Sequence, residues 1–263
     1  MKDWERFEIE SIEYLQNTFG TLASFIHQGK SDSTVPDILV VKSDNTEFYI
    51  EVKYAPAQCG QFVLIPNLDT STFEYSTKNK GQIDQYSQAI INHMNTDFDS
   101  FREAGSKGKD IIFPGSNEIF INWILKSYRE KGVKFFITND HTILPLEDFA
   151  NYFTVSAKYR IKRSGSSSVG RSRLELVSNY ISSKDYGIKE IKVDKDKLYV
   201  ASIQDLHNQR FILDGNEYMF AARENLFEIR KLSNTYNANV IFSINKVENV
   251  DGLTPEEFTQ YLK

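Results

Sequence analysis

Three side chains early in the chain could do hydrolytic chemistry together: Asp37, Glu51 and Lys53. They stand in Val35-Pro36-Asp37-Ile38-Leu39-Val40-Val41 and Phe48-Tyr49-Ile50-Glu51-Val52-Lys53, two runs rich in β-branched and aromatic residues. Lys42-Ser43-Asp44-Asn45 between them is polar and turn-forming, so the stretch predicts a β-hairpin. Folding about Asp44 pairs positions whose numbers sum to about 88, which sets Asp37 opposite Glu51. Lys53 shares a strand face with Glu51. Two carboxylates this close repel unless a cation sits between them. A hard ion such as Mg²⁺ takes carboxylate and carbonyl oxygens. Asp37, Glu51 and the Val52 carbonyl are thus a ligand set, with Lys53 beside the nucleophile. Water attack on a phosphodiester fits these parts. A hairpin whose solvated end merely carries charges has the same spelling, and the motif alone does not separate the two.

Pro36-Asp37 followed by Glu51-Val52-Lys53 resembles the signature of the PD-(D/E)XK nuclease superfamily. That family includes most type II restriction endonucleases, Holliday-junction resolvases and RecB-type exonucleases. The resemblance implies that Asp37 and Glu51 bind Mg²⁺ and that Lys53 serves the attacking water. It spans residues 1–150, read as the catalytic core.

The elements that must position these residues are legible on either side. Asp3 to Phe19 has the apolar spacing of a helix, with Gly20 as its stop. At helical phase Trp4, Ile12, Leu15, Phe19 and Leu22 form one stripe with Glu8 in its middle. A carboxylate on a core face is costly unless it is paired or bound to metal. Superfamily members often place a helix Glu ahead of the hairpin, so the resemblance makes Glu8 a fourth catalytic candidate. A helix-start Glu meeting the helix dipole is the other reading. Leu22 to His27 predicts a strand, then a polar loop whose Lys30, Ser31 and Ser33 could touch phosphate. Beyond Lys53, the amides of Gln58 and Gln61 could contact base edges, phosphate or a metal-bound water, or be plain strand-edge polar groups. Lys80 to Met94 predicts a helix. Its Gln82-x-x-x-Tyr86 spacing is similar to an element of RecB-type nucleases, which implies a DNA contact for Gln82. A helix from Ser116 to Lys131 and a buried strand from Val133 to Thr138 complete an α/β (α+β) core, a mixed central sheet flanked by helices.

Residues 151–263 change character to a β-rich half, continuous with the core or separate from it. Strands are predicted over Phe153–Lys162, Leu174–Ile181, Lys189–Val193, Leu198–Ile203, Arg210–Leu213, Tyr218–Ala221 and Val240–Ile244. A last helix opens at Thr254-Pro255. Between the first two strands lies a segment with six cations and no acid, Lys158, Arg160, Lys162, Arg163, Arg171 and Arg173, in a chain of net charge −5. Its serines and glycines predict a flexible loop that lays a basic footprint on DNA; a solvated basic hairpin would look the same. By the resemblance to restriction enzymes, the chain acts as a homodimer on double-stranded DNA.

The one cysteine, Cys59, excludes an internal disulfide and a cysteine-built zinc cluster, and four scattered histidines offer no H-x-x-x-H pattern. No organic cofactor is expected. No apolar run reaches membrane length and Met1-Lys2-Asp3-Trp4 begins no signal peptide, so the expectation is a cytoplasmic protein with no membrane partner. Together these readings predict Mg²⁺-dependent, sequence-specific cleavage of double-stranded DNA by a type II restriction endonuclease. The alternatives are a structure-specific or repair nuclease, a catalytically silent DNA-binding protein, and an acidic globular protein with no nucleic-acid role.

Overall fold

In a computed structural model, which describes residues 3–28, 35–163, 165–233, 236–248 and 250–263, the predicted hairpin has the predicted register. The chain opens with α1 (Asp3–Phe19), β1 (Ala23–His27), β2 (Ile38–Lys42) and β3 (Glu47–Lys53). Ile38 pairs with Ile50 and Val40 with Phe48, so Asp37 and Glu51 are next in register. Asp44 closes the turn by accepting the Thr46 N–H at 2.9 Å and the Thr46 hydroxyl at 2.6 Å. After β4 (Ala57–Asn67), β5 (Thr72–Tyr75), α2 (Gln85–Thr96), α3 (Phe98–Arg102), β6 (Lys109–Asp110) and α4 (Ser116–Glu130), β7 (Val133–Thr138) returns parallel to β3. β8 (Thr142–Pro145) completes a mixed sheet of order β1-β2-β3-β7-β8.

The chain continues through α5 (Phe149–Tyr152), β9 (Phe153–Arg163), β10 (Ser166–Ser167), α6 (Leu174–Ser182), β11 (Ile188–Asp194) and β12 (Lys197–Ser202). β13 (Arg210–Leu213), β14 (Asn216–Arg223), β15 (Leu226–Leu232), β16 (Tyr236–Lys246) and α7 (Pro255–Leu262) follow. Two compact units result, Met1–Arg160 with Asn239–Lys263, and Ile161–Ala238. The first holds the mixed sheet and a second sheet of order β5-β4-β16-β9-β6. The other unit is a sheet of order β11-β12-β15-β14-β13 with β10 on β15, and α6 buries Val177 and Ile181 in its core. No helix among the described residues is long and apolar enough to cross a membrane.

The faces of β3 decide where the chemistry can sit. Phe48, Ile50 and Val52 enter a core with Phe7, Leu15 and Phe19 of α1 and Phe258 of α7. Alternation turns Tyr49, Glu51 and Lys53 to the other face, the side of α4.

Four expectations change. Leu174–Ile181 is a helix, because Val177 and Ile181 are buried four apart, as one helix face requires. The helix expected from Lys80 starts at Gln85, since Asp84 accepts the Ser87 N–H at 2.8 Å and the Ser87 hydroxyl oxygen accepts the Asp84 N–H at 2.9 Å, a capping box. Gln82 therefore lies exposed ahead of the helix and shares no helix face with Tyr86. The basic segment is not one loop: Arg160, Lys162 and Arg163 belong to β9, Ser166 and Ser167 pair with β15, and Arg171–Arg173 form a single 3-10 turn. The buried face of α1 runs through Phe7, Ser11 and Leu15, with Trp4 43% exposed, so Glu8 flanks the core stripe and does not centre it. Lys30, Ser31 and Ser33 lie outside the described residues.

Candidate active site

At the end of the hairpin three predicted residues come together. The Lys53 Nζ donates to Glu51 Oε1 at 2.6 Å and to the Val52 carbonyl at 3.3 Å. Asp37 Oδ2 accepts the Val52 N–H at 2.8 Å, which ties the start of one strand to the end of the other. Glu51 is 8% exposed. Burial first, then the Glu51 charge, pushes the Asp37 carboxyl up to about 7, against the pull of Lys53. Burial works against the charge of Lys53 as well, but Glu51 and Asp37 outweigh it and hold the ammonium above its ordinary value. The pocket is thus short of positive charge even with Lys53 in it.

That imbalance and the donor set fit a hard divalent cation. Asp37, Glu51 and the Val52 carbonyl are all-oxygen donors, and Lys53 already lies against two of them as an ammonium would beside a shared anion. Among the described residues no three His, Cys, Asp or Glu side chains converge as a metal cluster, so Glu8 stands apart from the Asp37–Glu51 pair. It is nevertheless near: His27 Nε2 is 3.4 Å from Glu8 Oε2. Burial raises the Glu8 carboxyl, His27 opposes this, and the charges of Lys53 and Glu51 reach it.

Residues beyond the motif support the strand that carries it. Asn139, just past β7, takes the Ala55 N–H at 2.7 Å and returns its own amide to the Ala55 carbonyl at 2.9 Å, two residues from Lys53. Tyr54 stacks obliquely on Phe7 at 5.2 Å, beside Glu8 in α1. The Tyr128 hydroxyl donates to Glu51 Oε1 at 3.1 Å, and the buried Cys59 thiol sits 3.8 Å from that hydroxyl. Burial pushes the Cys59 thiol up to about 12, which keeps it a packed, protonated group. Helical spacing reads Tyr128 only as an apolar position, and nothing local marks Asn139 or His27.

The proposed DNA contacts are scattered. Gln58 and Gln61 are exposed on β4, and Gln58 Nε2 donates to Gln61 Oε1 at 3.2 Å. Asn239 of β16, unremarked in the sequence, donates to the same oxygen at 3.3 Å. Lys158, Arg160 and Lys162 alternate along one face of β9. Lys158 pairs with Asp110 at 3.4 Å, while in the other unit Arg173 pairs with Asp214 at 2.8 Å. Arg171 is exposed, and the side chain of Arg163 lies outside the described residues.

A mixed sheet that carries an aspartate and an E-x-K tripeptide on a hairpin is the arrangement that the resemblance to PD-(D/E)XK nucleases implies. Comparison with known proteins narrows this. No family model and no curated protein matches the chain. Among solved structures it is similar to HhaI endonuclease in complex with DNA, at 36% sequence identity and a TM-score of 0.77, over 99% of this chain and 98% of that one. The chain belongs to the type II restriction endonucleases of the PD-(D/E)XK superfamily.

Proposed function

We propose that this protein is a Mg²⁺-dependent endonuclease that hydrolyses double-stranded DNA at a specific sequence, acting as a homodimer. The observation that carries the reading is the contact of Lys53 with Glu51 Oε1 and the Val52 carbonyl, beside Asp37. Full-length likeness to HhaI endonuclease supports it.

Asp37, Glu51 and the Val52 carbonyl would hold the cation. Bound there, a divalent ion supplies Lewis-acid stabilisation of the charge that builds on the phosphoryl oxygens. Lys53 orients the attacking water by a hydrogen bond and sets its ammonium against the same developing charge. Its anchor to Glu51 fixes that ammonium on a strand end, where small displacements are costly to rate. Asp37 has to be ionised to act, so proton release from it accompanies metal uptake. Arg160, Lys162, Arg163 and Arg171 serve as phosphate contacts, with Lys158 and Arg173 shared between DNA and their acidic partners. Gln58, Gln61 and Gln82 remain candidates for base edges, and Glu8 for a supporting acid or base beside the site.

The test is cleavage of long DNA by wild type and Lys53→Ala. Loss of cutting with retained DNA binding supports the roles; loss of both assigns the hairpin a structural role. Cutting confined to branched DNA would make the protein a structure-specific nuclease instead.

A further inference from the structure

Tyr128 lies on α4, far in sequence from the hairpin, yet its hydroxyl ends on the proposed metal-binding carboxylate. The ring is 4% exposed and packs edge-on against Phe136 at 5.1 Å. A buried phenol needs a hydrogen-bond partner, and a backbone carbonyl or a water commonly serves. Here the partner is Glu51 Oε1 at 3.1 Å, the same oxygen that accepts Lys53 Nζ at 2.6 Å. Asp37 shows the same division, since its Oδ2 is committed to the Val52 N–H. One oxygen of each carboxylate is therefore taken by the protein. Glu51 Oε2 and Asp37 Oδ1 are left without a hydrogen-bond partner among the described residues. The Cys59 thiol lies on the far side of this chain of contacts and donates to the same hydroxyl.

We propose that Tyr128 is a positioning residue for the reaction: its hydroxyl fixes the rotation of the Glu51 carboxylate, holding Oε1 for Lys53 and presenting Oε2, with Asp37 Oδ1, to the divalent cation. The proposal rests on the metal-dependent nuclease reading above. Without the hydroxyl, Glu51 Oε1 loses one of the two side-chain donors that orient the carboxylate. Loss of such an outer partner typically weakens metal binding or activity about 10–100-fold.

The experiment uses the full chain: Mn²⁺ titration by calorimetry without DNA, thermal melting in EDTA, and single-turnover cleavage against Mg²⁺ concentration. Wild type, Asp37→Ala and Tyr128→Phe are compared. Tyr128→Phe keeps the ring and removes only the donor. Its melting in EDTA should stay close to wild type, while Mn²⁺ affinity falls about 10–100-fold and cleavage shifts to higher Mg²⁺. A purely packing role would leave Mn²⁺ affinity unmoved. A folded Tyr128→Phe protein whose Mn²⁺ affinity lies within about twofold of wild type overturns the proposal. Should the Phe variant not fold, Tyr128→Met, which also lacks the donor, is judged by the same criterion through the Mn²⁺-induced rise in melting temperature. A wild type that takes up no Mn²⁺, or takes up as much as Asp37→Ala, overturns the metal-dependent reading and this proposal with it.

Discussion

Replacing Asp37 by Asn should stabilise the metal-free protein at alkaline pH while abolishing cleavage. The carboxyl is pushed from an ordinary 3.8 up to about 7, by burial and then by Glu51. A folded-state value above the unfolded one means that protonation favours the fold. The contribution is fully present below about 4 and is lost as pH rises through about 7. Between pH 5 and pH 8 two of the units lie below 7. At about 1.4 kcal/mol each, wild type should lose about 3 kcal/mol that the Asn variant does not lose. The amide oxygen can still accept the Val52 N–H, which Asp37 Oδ2 accepts at 2.8 Å, so the strand contact survives. Urea unfolding of both proteins in EDTA at pH 5 and pH 8 reads the difference directly. Comparing the two cancels the background from other groups, including Glu8, whose raised carboxyl gives a slope of the same sign. Parallel pH profiles for the two proteins would refute the idea that Asp37 carries uncompensated charge. With the proposed ligand set, added Mg²⁺ should reverse the order at pH 8, because the Asn variant lacks one of its two charged ligands.

Three further outcomes follow from the geometry. Asn139→Ala strips both hydrogen bonds from the buried Ala55 backbone and should cost about 1–3 kcal/mol; single-turnover cleavage should fall at least tenfold with DNA affinity unchanged, because Lys53 is two residues away. Gly60→Ala introduces a Cβ 2.8 Å from Trp123 Cζ3 at a φ of +96°, and denaturant unfolding should register a loss of about 2–4 kcal/mol; a loss below about 0.5 would mean that the Trp123–Phe242 stack yields easily. Replacing Arg160 and Lys162 together by Ala should lower the slope of log affinity against log salt by about two, and an unchanged slope would remove that face of β9 from the DNA footprint.

Much of the first unit was readable because its signals are local. The register of β2 on β3 follows from apolar alternation and one turn, so Asp37 could be set against Glu51 without coordinates. The bounds of α1, β7 and β13 follow from a glycine stop, a β-branched and aromatic run broken only by Lys134, and an Asp-Gly turn. Gln82 lies ahead of the helix because the capping box at Asp84–Ser87 sets the start, and Gly81 disfavours an earlier one. Leu174–Ile181 reads as either element, because its apolar residues satisfy both a two-residue and a three-to-four-residue spacing over so short a span. β16 pairs with β4 across some 180 residues, Asn239 with Val63 among them, and no local pattern encodes that. The roles of Tyr128 and Asn139 carry no local signal for the same reason: their site contacts, with Glu51 and Ala55, lie 77 and 84 residues away in sequence. Ion pairing also reshaped the basic segment, since Asp110 and Asp214 lie outside it and yet meet two of its six cations.

The most direct measurement is digestion of long unmethylated DNA by wild type and Lys53→Ala, each in Mg²⁺ and in EDTA, with sequencing of the fragment ends. Fragments that share one terminal sequence, formed by wild type only in Mg²⁺ and absent with the variant, are the predicted result. Fragments that persist in EDTA, or that Lys53→Ala produces equally well, would contradict the account.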